Sequence, residues 1–261
     1  MLKAFSTAAT GMTGQQMMVD VIANNLANIN TTGFKRSQID FQDMLYVQMR
    51  QAGAEVASGI KTPTGLEIGS GVRAAATVKV FTEGELLNTG RPLDIAIYGD
   101  GFLQVTLPNG ETRYTRDGAL QVNADGELVT ATGYRMEPAI SIPTDATGMD
   151  IGKDGSVNVT DTAGTQSVVG TLQLVRFPNA SGLSSEGDNL FAQTDASGTA
   201  VTGTPGENGF GTIQSGVLEK SNVQMVTELV NLITAQRAYE INARAIKAGD
   251  DMLRTAQEIG R

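Results

Sequence analysis

The sequence predicts an α+β fold in which long helices at the two chain ends flank a mainly-β middle. Residues 1–30 and 221–259 carry apolar residues at alternating steps of three and four, as one face of a packed helix does. Between them, short β-prone segments alternate with Asn-Gly and Asp-Gly pairs, which are typical of hairpin turns. The expected parts are a coiled-coil-like helical domain (1–34 and 218–261), an extended arm or hairpin (35–70) and a β-rich domain (71–217).

The apolar stripes of the two end helices have heptad spacing, which keeps one seam facing a neighbouring helix. Ordinary packing of two helices inside one monomer is one explanation. However, the two stripes offer more apolar surface than a lone helix pair can cover, so the helices dock on the middle domain or are completed by other copies of the chain. We favour other copies. The expected self-assembly residues are Leu2, Phe5, Met12, Val19, Leu26, Met225, Leu229, Leu232, Tyr239, Ile246 and Leu253.

Charge is distributed unevenly along the chain. The acidic and basic residues balance within residues 1–30 and again from residue 218 onward, so the net charge of −9 lies in the middle. Neutral ends suit dense packing of many copies, and an acidic middle suits an exposed surface.

Composition argues against an enzyme. The chain has no Cys and no His, which removes thiolate nucleophiles, disulfides and the commonest general base and metal ligand. Carboxylates near Asp94 and Asp117 suggest glycoside hydrolysis only weakly, because their spacing gives no sign of a cleft. We expect no catalytic residue, metal, cofactor or nucleic-acid partner. We expect no direct membrane insertion either, since no stretch approaches the ~18 apolar residues that cross a bilayer.

The β-rich middle has regularly spaced turn signals. Hairpin turns are expected at Asp100-Gly101, Asn109-Gly110, Asp117-Gly118 and Asp125-Gly126. The same reasoning predicts a hairpin at 153–155, a buried strand at 170–177, and long loops with short strands over 178–211.

Residues 23–35 form an Asn-rich end to the first helix. Asn24 and Asn28 share a helix face, where carboxamides near an apolar seam fix register because a shifted pairing leaves them unsatisfied. A simple polar helix end is the alternative. Gly33 suits a left-handed cap that ends this helix, and Ser221 with Gln224 fits a capping box that opens the last one.

These segments resemble the bacterial flagellar rod and hook proteins. The N-terminal signature of that family is similar to residues 23–35, and the C-terminal signature to residues 216–223 and 236–240. Residues 93–102 and 114–118 resemble its middle domain. The signature residues assigned to register are Asn24, Asn25, Asn28, Gly33 and Phe34.

Within this family, the length and residues 41–71 are most similar to the subunits of the distal rod, although Ala52 stands where the family commonly has Pro. The resemblance implies a structural protein of the basal body that is exported by the flagellar type III apparatus. It implies self-assembly into a hollow helical tube that crosses the periplasm, transmits torque from motor to hook and forms part of the export channel. The implied partners are further copies of the chain, the proximal rod proteins, the hook protein and the surrounding ring (bushing) proteins.

Residues 41–71 would be unusually long as a structureless loop. We expect an arm or long hairpin laid between neighbouring subunits. Two alternatives stay open: a proximal rod or hook-like subunit, and a secreted β-rich module that binds or acts on carbohydrate. The residues expected to brace subunits are Tyr46, Arg50, Gln51, Gly53, Pro63 and Gly65.

Overall fold

The computed structural model describes residues 2–53, 55–57, 60–61 and 63–259. It confirms the α+β class: helix α1 spans Leu2–Ala27, helix α2 spans Met225–Ile259, and the chain between them is mainly β with a short 3-10 helix at Ala180–Gly182. The strands are β1 (Ser37–Asp43), β2 (Val47–Arg50), β3 (Glu55–Ala57), β4 (Ile60–Lys61), β5 (Leu66–Ile68), β6 (Val72–Lys79), β7 (Leu86–Asn88), β8 (Ile95–Tyr98), β9 (Leu103–Thr106), β10 (Thr112–Thr115), β11 (Leu120–Val122), β12 (Leu128–Thr130), β13 (Arg135–Glu137), β14 (Ala146–Ile151), β15 (Ser156–Asp161), β16 (Gln166–Thr171), β17 (Leu174–Arg176), β18 (Ser184–Gly187), β19 (Leu190–Ala192), β20 (Val201–Gly203), β21 (Thr212–Ser215) and β22 (Val217–Glu219).

The chain divides into two compact units. The helical unit contains Met1–Leu26, Ser37–Val78 and Met225–Arg261, and the β unit contains Ala27–Arg36 and Lys79–Gln224. These boundaries differ from the predicted ones, because the polar segments next to α1 and α2 belong to the β unit and the arm region belongs with the helices.

In the helical unit, α1 and α2 run antiparallel in close contact. A Cβ at Gly249 would lie 2.8 Å from the Phe5 ring, and a Cβ at Gly11 would lie 2.9 Å from Nδ2 of Asn242. The start of α1 therefore packs beside the end of α2, and glycines allow the approach. Strand β1 pairs with β6, β2 pairs antiparallel with β5, and β3 pairs antiparallel with β4.

The β unit is built on a seven-stranded sheet with the order β11-β12-β13-β9-β10-β19-β18. The three-stranded sheet β14-β15-β16 and the pairs β8–β21, β7–β22 and β17–β20 complete it. One apolar core lies among these strands and includes Leu103, Val105, Leu120, Leu172 and Ile213, all fully buried. A second, aromatic core contains Phe102, Tyr114, Phe177 and Phe191, with Phe81 packed against it and ring centroids 4.8–5.9 Å apart.

Three of the predicted hairpin turns are confirmed. Asn109-Gly110 joins β9 to β10, with Gly110 N donating to Leu107 O at 2.9 Å. Asp125-Gly126 joins β11 to β12, and residues 153–155 join β14 to β15. The loop prediction for 178–211 also holds, since this region contains the 3-10 helix and the short strands β18, β19 and β20.

Two predicted hairpin turns are wrong. Asp100-Gly101 connects β8 to β9, yet β8 pairs with β21; Asp117-Gly118 connects β10 to β11, yet these strands are not neighbours. Glycine is needed at 118 for a different reason, because a Cβ there would collide with the Ile95 carbonyl. The predicted single strand over 170–177 is interrupted between β16 and β17, although Leu172 and Leu174 are buried as expected.

Both predicted helix-end motifs need correction. Ser221 lies outside α2, which begins at Met225, and its Oγ accepts a hydrogen bond from Val223 N at 3.3 Å in a local turn. Gly33 has the expected left-handed conformation, with φ of +65°, but it lies well beyond the last residue of α1, Ala27. It serves the β unit instead.

Candidate assembly site

The predicted seam of α1 is only partly shielded within the helical unit. Phe5, Met12, Val19 and Leu26 are half-buried, and the side chain of Leu2 lies outside the described residues. The most deeply buried positions of α1 are Gly14, Ile22 and Asn25.

The predicted seam of α2 divides in the same way. Leu232, Ile246 and Leu253 are half-buried. They lie beside Ala235 and Gly249, which are buried on the face that packs inward. The remaining predicted residues are exposed: Met225 at 51%, Leu229 at 39% and Tyr239 at 43%.

A second apolar stripe on α2 was missed by the sequence reasoning. Val226, Val230, Ile233 and Ile241 are exposed at 75%, 56%, 49% and 63%. At about 3.6 residues per turn, they fall within an arc of roughly 80° on the side opposite Ala235. We call these four residues the open face. Their spacing by four and three residues indicates one helix face. The pattern is hard to recognise in the sequence because Arg237 stands between Ile233 and Ile241 on that face.

The groove between α1 and α2 holds Tyr239. Its lining is Gln15, Gln16 and Val19 of α1 with Gln236, Tyr239 and Glu240 of α2, and its volume is about 500 Å³. An amphipathic phenol at the rim of a mixed polar and apolar groove can face either a protein surface or water.

Asn25 is buried on α1 and binds the backbone of another segment. It is 1% exposed, its Nδ2 donates to Ser37 O at 2.8 Å, and its Oδ1 accepts from Ser37 N at 2.8 Å. The carboxamide therefore pairs with both backbone polar groups of Ser37 and ties the start of β1 to α1. The register role expected for Asn24 and Asn28 from their spacing stays a prediction. Asn24 is exposed, and Asn28 is half-buried in the β unit.

The hairpin formed by β2 and β5, together with residues 41–46, carries further exposed apolar surface of the helical unit. Leu45 is 90% exposed and Met49 is 64% exposed. Gly65 sits where a Cβ would lie 2.9 Å from Arg50 O, so the two strands approach closely there. We call the exposed residues Phe41, Met44, Leu45, Tyr46, Val47, Met49, Leu66 and Ile68 the arm patch. The other predicted arm residues, Arg50, Gln51, Gly53, Pro63 and Gly65, are exposed too.

Gly33 and Phe34 belong to the β unit, where they lie against other signature residues. Gly33 N donates to Glu219 O at 2.8 Å, and a Cβ at Gly33 would lie 2.7 Å from the Arg116 carbonyl carbon. The ring of Phe34 faces the Lys79 ammonium at 4.6 Å, a cation–π contact. Burial lowers the pKa of Lys79.

A buried charged cluster lies next to these residues. Lys35 is 0% exposed; its Nζ donates to Glu219 Oε1 at 2.5 Å and to Thr82 O at 2.7 Å. Arg116 Nε lies 3.2 Å from Glu219 Oε2, and Arg116 Nη2 donates to Ile97 O and Gly99 O. Burial and the Arg116 charge lower the pKa of Lys35, although Glu219 opposes them.

Asn222 completes this cluster. Its Oδ1 accepts from Arg36 N at 2.7 Å, and its Nδ2 donates to Val80 O at 2.8 Å and Thr82 Oγ1 at 3.0 Å. One side chain thus binds two other segments of the chain. We call Lys35, Thr82, Arg116, Glu219 and Asn222 the joint.

The described residues contain no group of three or more Asp and Glu side chains placed to hold a metal ion. Neither α1 nor α2, over its described length, has an apolar stretch that could cross a membrane.

Family models of flagellar proteins match three segments of the chain. Residues 5–35 match the family model of the flagella basal body rod protein. Residues 96–159 match the FlgE/F/G D1 domain of flagellar hook proteins, and residues 214–259 match the C-terminal region of flagellar basal body rod FlgEFG proteins. These matches define a structural protein of the flagellar rod and hook class.

Full-length relatives narrow the class. The chain is 45% identical over 260 residues to the flagellar basal-body rod protein FlgG of Buchnera aphidicola subsp. Schizaphis graminum, covering 99% of this chain and 100% of that protein. It is 45% identical to FlgG of Caulobacter vibrioides, covering 99% of each, and 36% identical to FlgG of Bacillus subtilis over the full length of both. The chain belongs to the FlgG family of flagellar basal-body rod proteins.

Family membership confirms several sequence-based predictions. The chain is a structural component of the distal rod and not an enzyme, it resides in the flagellar basal body, and it assembles into the rod with other flagellar components. The carbohydrate-acting module is thereby excluded.

Proposed function

We propose that copies of this chain polymerise into a hollow helical tube through the open face of α2 and the arm patch. The observation that carries the proposal is the position of the open face, opposite the side of α2 that packs inward. Val226, Val230, Ile233 and Ile241 are exposed in the monomer, and burying a large apolar side chain is worth about 1.5–3 kcal/mol. Four such residues on one stripe provide a strong surface for a neighbouring copy.

The arm patch supplies a second, different surface on the same unit. Contacts between two different surfaces on successive copies are head-to-tail, and such contacts produce open helical assemblies unless the rotation closes a ring. The exposed residues of the predicted arm, including Tyr46, Arg50 and Pro63, would then brace neighbouring subunits against bending. The half-buried seam residues of α1 and α2 would be covered by the same neighbours.

The tube would serve as a drive shaft that transmits torque from motor to hook and as part of the export channel. Its ends would meet the proximal rod proteins and the hook protein, and subunits would reach it through the type III export apparatus. The β unit, which carries most of the acidic charge, would face the surrounding ring proteins.

The test is complementation of a strain that lacks this protein, with shafts isolated and imaged by electron microscopy. Val230→Asp and Leu45→Asp should abolish shafts and swimming, because each places a carboxylate in a packed interface at a cost of several kcal/mol. Val230 is preferred to Leu232, which is half-buried inside the monomer.

The matched control is Val168→Asp on β16, where the valine is 64% exposed in the β unit. It should leave swimming and export intact. All three variants should be exported at wild-type levels and fold as monomers. Straight shafts and normal swimming with Val230→Asp would show that the open face is not an interface.

A further inference from the structure

The chain passes between its two compact units four times. The crossings follow Leu26, Arg36, Val78 and Gln224. Within the β unit, the segments that reach these crossings are 27–36, 79–84 and 217–224. Every covalent route from one unit to the other therefore leaves from one of three segments.

The joint binds these three segments to one another. Lys35 Nζ reaches Thr82 O in the second segment and Glu219 in the third. Asn222 Oδ1 binds Arg36 N in the first segment, and its Nδ2 binds Val80 O in the second. Backbone bonds add to this: Val80 N donates to Arg36 O at 3.0 Å, and Asn222 N donates to Phe34 O at 3.4 Å.

Charge makes Glu219 the most important member of the joint. It faces two buried cations, with Oε1 on Lys35 and Oε2 beside Arg116, and Oε1 also accepts from Gly84 N at 2.9 Å. Neutralising Glu219 leaves both cations without their buried counter-ion. Replacing Lys35 by Met instead leaves Arg116 and Glu219 paired, so the two substitutions should differ strongly in effect.

We propose that the joint fixes the three segments of the β unit in one arrangement, and so transmits force through the four connections when the shaft turns. The fixed arrangement stands on the contacts alone. The transmission of force rests on the proposed function as a torque-bearing shaft. Directional hydrogen bonds suit this task, because apolar packing alone does not fix the direction in which a chain leaves a core.

Hydrogen exchange in the full-length monomer tests the fixed arrangement. Glu219→Gln should speed amide exchange at least about tenfold in residues 33–36, 80–84 and 217–222 together, while β14, β15 and β16 keep wild-type protection. Lys35→Met should give the same pattern with a smaller increase. The matched control is Glu186→Gln, which breaks the exposed ion pair with Arg113 and should change none of these segments.

Three exchange results would overturn the proposal: a uniform increase over the whole β unit, an increase confined to β22, or no increase. If Glu219→Gln does not accumulate as folded protein, Asn222→Ala provides the second probe and should loosen the same three segments.

Swimming speed tests the transmission of force. Cells with Lys35→Met or Asn222→Ala should build shafts in normal number but swim at about half the wild-type speed or less, since the connections give under load. Wild-type speed with the altered exchange pattern would refute the mechanical role. A failure of the proposed assembly function can be distinguished from this result, because it would be seen as normal shafts in cells that carry Val230→Asp.

Discussion

The bidentate contact of Asn25 with Ser37 gives a sharp test of how α1 is tied to β1. Alanine at position 25 removes a carboxamide that is 1% exposed and that makes two hydrogen bonds of 2.8 Å to the backbone N–H and C=O of Ser37. A hydrogen bond contributes about 0.5–1.5 kcal/mol net, and a buried group left without its partner costs about 1–3 kcal/mol. Ser37 is half-buried, so water can restore part of the loss. We expect Asn25→Ala to lower the free energy of unfolding of the helical unit by about 2–3 kcal/mol.

Urea titration followed by circular dichroism at a helix-sensitive wavelength measures this change, because the long helices α1 and α2 dominate that signal. The control is Asn24→Ala, one residue earlier and exposed. Its effect should stay within about 0.5 kcal/mol, as for most surface substitutions. The reasoning is refuted if Asn25→Ala lowers the free energy of unfolding less than Asn24→Ala does. That result would favour Asn24, as the sequence predicts, as the residue that fixes the register of the helix.

Two further predictions concern the β unit. Burial lowers the pKa of Lys35 below its ordinary 10.5, so between the lowered value and 10.5 the unfolded chain binds more protons and stability rises with pH. Lys35→Met should flatten that rise in urea titrations at pH values just below 10.5, and an unchanged slope would contradict the burial of a charged lysine. Gly33→Ala should cost at least about 2–3 kcal/mol by near-UV thermal unfolding, because Gly33 combines φ of +65° with a close Arg116 carbonyl. Gly110→Ala, at φ of +84° in the β unit with no neighbour within 4 Å, should cost about 1 kcal/mol, and equal costs would show that the contact does not matter.

The sequence predicted those parts of the structure that depend on residues close to one another in the chain. The heptad spacing predicted both end helices, and Asn109-Gly110 predicted the β9–β10 hairpin, since a short turn is decided by its own backbone preferences. Asp117-Gly118 is a similar pair, but its glycine has a different structural role. Its glycine admits the Ile95 carbonyl, a close approach that only tertiary structure reveals.

The site was less predictable because its burial is decided by distant segments. Periodicity cannot tell which of two stripes on α2 meets α1, so the open face was missed. The assembly role of Leu229 and Tyr239 stays a prediction. Likewise, Asn25 is buried because β1 lies on it. Lys35 appeared in the sequence only as part of a signature, since the carboxylate that explains its burial, Glu219, lies 184 residues away.

The helical unit and the β unit differ in the kind of interaction they offer. The helical unit exposes apolar surface, and the β unit contains a network of hydrogen bonds and buried ion pairs. Apolar side chains stand exposed on α2 and on the arm patch. In the proposed tube, a non-directional attraction there would hold many copies together and tolerate small shifts between them. The charged side chains of the joint are buried, and there hydrogen bonds fix distance and angle and an unpaired charge is costly. Substitutions on the open face should therefore weaken assembly in proportion to the apolar area removed. Substitutions in the joint should instead leave subunits that still assemble but hold their connections loosely, and this difference separates the two roles within one chain.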